Sequence, residues 1–261
     1  MKISYMPGSA GAIGTSYAMD QAADGYTLLL VSTDIAIGMA IKRVKYDVDD
    51  FEWIAKGIHD ISGLHTRVDN KQFQTVEDIQ KYCKANPKIR LTVAGSGALG
   101  IDHAWISLLN TRGGMCLKFI PFDKSGERRA SFQGGHTTFE SDELIDMEGL
   151  FKAGVSRPLV IGYTERVKKY PDTPSTKEKG IEDYIGRWRG FAVKKGTPQP
   201  IVKYLIAAFE KSLNSAEYQK FLLVDVGHER PAWAAGKDFY DFVKMERDTF
   251  EELGKELKWI K

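Results

Sequence analysis

Residues 95–103, GSGALGIDH, constrain this chain more than any other stretch. The run before them, RLTVA, reads as a β-strand and the run after them, WISLLN, as a helix, so the glycines form a strand-to-helix turn. Backbone N–H groups at such a turn point outward, and the helix dipole favours negative charge there, which makes it an anion site.

The same alternation extends along the chain. Residues 1–6 read as a short strand, Pro7-Gly8-Ser9-Ala10-Gly11 as a turn, and Ile13, Tyr17, Ala18 and Ala22 as one helical face ending at Asp24-Gly25. A buried strand comes next at 27–32 (TLLLVS), then a stretch of mixed character up to about residue 51. Strands are expected at 51–58 and 63–66, and a helix N-capped by Thr75 that stops before Pro87. A second cycle places strands at 90–94, 117–122, 136–140 and 158–163, with helices at 100–111, 125–133 and 143–153 between them. Such alternation predicts parallel βαβ units in an α/β sheet. After a looser connection, WRGFAVKKGTP (188–198) gives a strand and a turn. Ile201, Tyr204, Leu205, Ala208, Phe209 and Leu213 then keep helical spacing, as do Phe239, Phe242, Val243, Phe250 and Leu253; both stripes are predicted core faces.

Composition narrows the function. With 43% hydrophobic residues, 28% charged residues and a net charge of +2, nothing favours nucleic acid or an anionic membrane surface. No run of 18 apolar residues occurs, and the start, MKISYMPGSAG, has no signal-peptide pattern. The five histidines (His59, His65, His103, His136, His228) are scattered, so no metal is expected. Cys83 and Cys116 read as two buried thiols, with a disulfide left open.

One enzymatic reading fits the glycine turn. Gly95, Gly97 and Gly100 satisfy G-x-G-x-x-G, and Asp123 stands where a ribose-binding acid belongs, as in an NAD(P)-dependent oxidoreductase. Against it, the turn falls in mid-chain and no Ser-Tyr-Lys or His–Asp arrangement accompanies it. The favoured reading has no catalytic residue and no cofactor.

The order of signals along the whole chain resembles a different family, the solute receptors of tripartite tricarboxylate transporters, also called Bug receptors. The matching pieces include PGSAGAIGT (7–15), DGYTLLLVS (24–32), VEDIQKYCKANP (76–87), the glycine turn with His103, QGGH (133–136), YPDTPSTKEKGIEDY (170–184) and WRGFAVKKGTP (188–198). This resemblance implies a two-lobed, periplasmic-binding-protein-like α/β fold with a ligand cleft. Lobe 1 would hold 1–86 plus 188–261, and lobe 2 would hold 87–187. It further implies a periplasmic, monomeric protein that captures a small carboxylate for the membrane subunits of its transporter. Family members grip the carboxylate largely with backbone N–H groups and water, not with arginine. The residues expected at the ligand are then Ser9, Ala10 and Gly11 in the first turn, Ser32 and Thr33 at a strand end, and Ser96, Gly97 and Ala98 in the glycine turn. His103 is either a packed, capping residue or a ligand contact.

Two departures shape the expectations. The chain starts where the family's second strand lies, so one βα unit is expected to be absent, leaving unpaired backbone and exposed apolar surface. FESDELIDM (139–147) is acidic for a carboxylate site. Asp142 either N-caps the next helix or meets a cationic end of the ligand, as an amino acid would supply.

Overall fold

The computed structural model describes residues 2–182, 185–224 and 232–260; His228 lies outside them. The chain forms two compact units, residues 1–59 with 187–261, and residues 60–186.

The first unit is built on an antiparallel sheet in the order β1 (Leu29–Ser32), β8 (Trp188–Lys194), β2 (Phe51–His59), β9 (Ala234–Ala235). The two stretches of chain interleave here, because β8 from the C-terminal part lies between β1 and β2. Gly190 in β8 admits no side chain: a Cβ would lie 2.5 Å from the Ala55 carbonyl oxygen and 2.7 Å from the Phe239 ring. That close approach brings α9 (Gly236–Glu256) onto the sheet. Phe239, Val243, Phe250 and Leu253 are buried, and Trp53 and Trp188 meet Phe239 edge-on at 5.3 and 5.4 Å. The α9 stripe is therefore a core face. The stripe on α7 (Gln199–Leu213) is a half-buried one: Leu205 and Phe209 pack against the cluster of Ile54, Ala55, Val193 and Val202, and Phe209 stacks on Phe191 at 4.4 Å, while Tyr204 is 73% exposed.

Beyond the regions read as strands or helices lies α2 (Thr33–Ala40), where the sequence looks mixed. Every residue of it except Asp34 is buried. A helix apolar on all sides has no polar face to mark its period, which is why the pattern gives no signal. α1 (Ala12–Met19) precedes β1, and no strand forms over 2–7. β1 has one strand partner among the described residues, β8, and Leu30 on this sheet edge is 61% exposed.

The second unit carries a five-stranded sheet in the order β5 (Leu117–Phe122), β4 (Leu91–Ser96), β6 (Phe139–Glu143), β3 (Ser62–Arg67), β7 (Ser156–Ile161). Only β4–β5 and β4–β6 are parallel; β3 runs antiparallel to β6 and β7, and the first unit has no parallel pair among its described strands. Alternation of elements sets their order along the chain, not the sense in which each strand enters a sheet. The expected parallel βαβ units therefore form at β4–β5 and β4–β6, while β3 and the strands of the first unit pair antiparallel instead.

The expected lobe boundary at residue 86 also moves. Residues 60–86 pack in the second unit, because β3 inserts between β6 and β7 and α3 (Val76–Ala85) covers the same core as β4 and β5. Thr75 caps α3 as expected, accepting from the Asp78 N–H while Asp78 accepts from the Thr75 N–H. α4 (Ile101–Thr111), α5 (Ser125–Gln133) and α6 (Leu144–Lys152) complete the unit.

Cys83 on α3 and Cys116 before β5 form a disulfide, at a sequence separation of 33 and with Cα atoms 5.4 Å apart. The reading of two thiols is corrected: spacing alone could not bring α3 beside the start of β5. Closing a loop of this length stabilises by about 3–4 kcal/mol in the chain-entropy picture. The melting temperature of the Cys83→Ser/Cys116→Ser variant is expected to fall by roughly ten degrees. Addition of dithiothreitol should produce the same drop in the wild type and none in the variant.

Candidate functional site

In the first unit, residues 8–11 take an unusual backbone. Gly8, Ser9, Ala10 and Gly11 have φ of 123°, 49°, 46° and 87°. Left-handed φ costs roughly 1–3 kcal/mol at a non-glycine residue, and such strain concentrates at functional sites. Within the turn, Gly11 N–H bonds the Gly8 carbonyl at 3.1 Å, and the Thr15 hydroxyl donates to the Gly11 carbonyl at 3.0 Å. Among the described residues no side chain caps α1, which the turn introduces.

The β1–α2 junction faces this turn. Ser32 caps α2 by accepting the Asp34 N–H at 3.3 Å. The Asp34 carboxylate is bonded to the Arg187 guanidinium just before β8. Thr33 is fully buried and its hydroxyl accepts the Trp188 N–H at 2.9 Å. After α2, Lys42 adopts φ 58° and the Arg43 N–H returns to the Gly38 carbonyl at 2.8 Å. Ala10, Gly11, Thr15, Ser32, Asp34 and Arg43 thereby surround a small cavity of about 40 Å³. Burial pulls the Arg43 pKa down, and the neighbouring Asp34 charge opposes that pull.

The first-turn and strand-end residues of the sequence analysis thus divide. Ala10, Gly11 and Ser32 meet at the cavity, Ser9 is exposed in the same turn and does not line it, and Thr33 is buried. Arg43, Asp34 and Arg187 escaped the sequence reading. The available signal was an arginine after a short apolar helix, which by itself marks nothing.

The glycine turn of the second unit is organised differently. Its N–H groups face partners inside the protein. Asp102, fully buried in the first turn of α4, accepts both the Ser96 N–H and the Ser96 hydroxyl at 2.7 Å. Gly97 N–H goes to the Phe122 carbonyl at 3.2 Å, and Leu99 N–H to His103 Nδ1 at 3.2 Å. The anion that the turn was expected to attract is the protein's own Asp102 carboxylate. A pyrophosphate would have to displace it, and Asp123 lies exposed in the turn after β5; the dinucleotide reading finds no support here. His103 accepts the Leu99 N–H at Nδ1 and stacks on Phe119 with ring centroids 4.6 Å apart, burial lowers its pKa, and its contact with a ligand stays a proposal. Ala98 stays in this turn as a proposed ligand neighbour.

Behind the turn lies a buried charge network. Arg128 on α5 approaches Glu140 at 3.0 Å and Asp102 at 3.9 Å and bonds Asp142, while Arg129 reaches Glu140 at 2.9 Å and Asp142 at 2.6 Å. Asp142 therefore neither caps α6 nor stands open to a ligand's cation. It is 2% exposed and bridged by two guanidinium groups. Burial raises the pKa of both Glu140 and Asp142 despite the arginines, with the Glu143 charge adding to the rise at Asp142. A wider groove of about 640 Å³ beside the disulfide is less suited to a ligand. Its side-chain amides are already engaged, Gln80 with the Gly113 carbonyl and Asn110 with both backbone groups of Leu117.

The chain is thus an α/β protein of two units, with a small polar cavity in the first. Residues 2–257 match the model of the tripartite tricarboxylate transporter family receptor. The chain is 26% identical over 215 residues to protein BugT of Bordetella pertussis, covering 80% of this chain and 65% of BugT's length. It is 26% identical to a TctC solute-binding protein from Polaromonas, solved without ligand, with a TM-score of 0.70 over 96% of this chain and 85% of that one. MatC from Rhodopseudomonas palustris, solved with bound malate, superposes with a TM-score of 0.82 at 23% identity, covering 94% of this chain and 85% of MatC. The chain belongs to the tripartite tricarboxylate transporter receptor family.

His65 gives the network a pH signature. It is fully buried, its Nε2–H donates to the Asp142 carbonyl at 3.0 Å, and burial holds its pKa down at about 3. Protonation then favours the unfolded chain, so stability is present above pH 6.5 and is lost as pH falls towards 3. Between pH 6.5 and pH 5 the loss from this residue is about 2 kcal/mol. Subtracting the pH–stability profile of His65→Gln from that of the wild type should reveal it. A difference independent of pH would contradict the assignment.

Proposed function

We propose that this chain captures a small carboxylate for a tripartite transporter and presents it to that transporter's membrane subunits. The observation that carries the reading is the cavity of the first unit. There a strained turn, a helix start without a side-chain cap, a serine hydroxyl and a guanidinium converge on a volume of about 40 Å³. Such a site suits a carboxylate on each count. Backbone N–H groups near a helix start favour negative charge. The guanidinium fork matches the geometry of a carboxylate. A cavity of this size has room for one carboxyl group or a water or two. Ala10, Gly11 and Ser32 form the grip on this side, with Thr15 and Arg43 added to it, and Ser9 holds the strained turn that carries them. Malate, the molecule bound to MatC, supports a dicarboxylate as the first ligand to try.

The disulfide supports a working place outside the cytoplasm. Such bonds persist in oxidising compartments and are rare where thiols are kept reduced. This is the setting in which a receptor for a membrane transporter meets its ligand.

Thermal unfolding against mono-, di- and tricarboxylates, amino acids and NAD tests the reading. A carboxylate present at a hundred times its dissociation constant should add about 2.7 kcal/mol of stability, which a melting scan resolves readily. A shift with NAD and with no carboxylate would replace the receptor by the oxidoreductase.

A further inference from the structure

The disulfide of the second unit lies at the margin of its core. Cys83 and Cys116 both line the groove of about 640 Å³, and they keep 7% and 8% of their surface exposed. Ile79, Val93 and Leu109 in the same hydrophobic cluster are fully buried. The sulfur pair thus borders an opening of the size that small molecules occupy. The walls of this opening are tied to one another. Gln80 on α3 donates to the Gly113 carbonyl at 2.8 Å, and the Leu91 N–H at the start of β4 bonds the Cys116 carbonyl at 2.9 Å.

The groove is charged on one side only. Lys84 and Arg90 line it, and no carboxylate is among the described residues that do. Residues 81–90, KYCKANPKIR, carry four cations and no acid. Arg90 turns its guanidinium onto the neutral carbonyls of Pro87 and Ile89, at 2.8 and 2.9 Å, and keeps its positive charge. A cleft of one sign concentrates ions of the other. The species that opens a disulfide is the thiolate, an anion. The two sulfurs differ as leaving groups. Cys83 stands in the last turn of α3, at the negative end of the helix dipole, which disfavours a thiolate there. Cys116 belongs to no helix, and the sulfur with the lower pKa departs faster.

We propose that this disulfide is a site of S-thiolation by a small anionic thiol, guided by Lys84 and Arg90. The thiolate attacks the Cys83 sulfur, a new S–S bond forms there as the Cys83–Cys116 bond breaks, and the departing electron pair stays on Cys116 as a thiolate. One disulfide is exchanged for another, so nothing besides the thiol is consumed. Opening the bond releases α3 from the start of β5, and the stability of the second unit then follows the thiol content of its surroundings. The carboxylate cavity of the first unit takes no part.

The test treats the folded full chain with glutathione, a net-anionic thiol, and with cysteamine, a cationic one. Iodoacetamide traps the freed sulfur, and mass spectrometry maps both cysteines. Glutathione is expected on Cys83 and the alkyl group on Cys116, at a rate that rises with thiol concentration. The ratio of the glutathione rate to the cysteamine rate should fall several-fold in Lys84→Gln/Arg90→Gln. Both positions are exposed, so the variant should keep its fold. The same ratio should fall in the wild type as sodium chloride rises from roughly 20 to 500 mM, which reads the charge effect without a substitution. A rate independent of thiol concentration and equal to that of global unfolding would mean that only the unfolded chain reacts, and overturns the proposal. Glutathione found on Cys116 overturns the direction of attack. A ratio unmoved by both the variant and the salt overturns the guidance by the two cations.

Discussion

The first unit depends on the ion pair between Asp34 and Arg187. The chain leaves this unit at His59 and returns at Arg187, and the returning strand must enter between β1 and β2 in one register. The pair stands at the point of re-entry, and the next residue, Trp188, donates its N–H to the Thr33 hydroxyl. A buried ion pair adds little net stability over an apolar substitute, yet breaking one partner is costly because the other charge is left stranded. Its value here is positional. It ties α2 to the start of β8, and the small cavity forms where α2 and β1 meet the turn at residues 8–11.

The second unit resolves the same electrostatic problem in the opposite sense. Its glycine turn satisfies its donors with Asp102, and Asp102 lies close to a network in which two arginines face Glu140 and Asp142. Helix starts in both units are positive, but one is closed by an internal carboxylate while the other adjoins a cavity with a cation beside it. An external anion is favoured at the second arrangement and must compete at the first. That asymmetry, more than either turn alone, is why the carboxylate is proposed for the first unit.

Local chemistry was readable from the sequence and long-range pairing was not. The Thr75–Asp78 capping box, the strand at 117–122, the helix at 125–133 and the aromatic face of α9 are set by periodicity and caps, which act over a few residues. α2 was lost because burial on every side erases its period. The partners of Asp34 and Cys83 lie 153 and 33 residues away, and no pattern within a window reports them. The glycine turn misled for another reason. Its residue types suit an anion site, and only the position of Asp102 reveals that the site is filled from within. The site residues divide along the same line, with Ala10, Gly11 and Ser32 gathered at the cavity while Thr33 and Asp142 turn to partners of their own.

A crystal structure of the full chain grown with malate tests the central claim most directly. The account predicts one malate carboxylate in the cavity of the first unit, within hydrogen-bond distance of Arg43 and of the backbone at residues 10–11. Malate held at the glycine turn, with Asp102 displaced and the first-unit cavity holding only solvent, would contradict it.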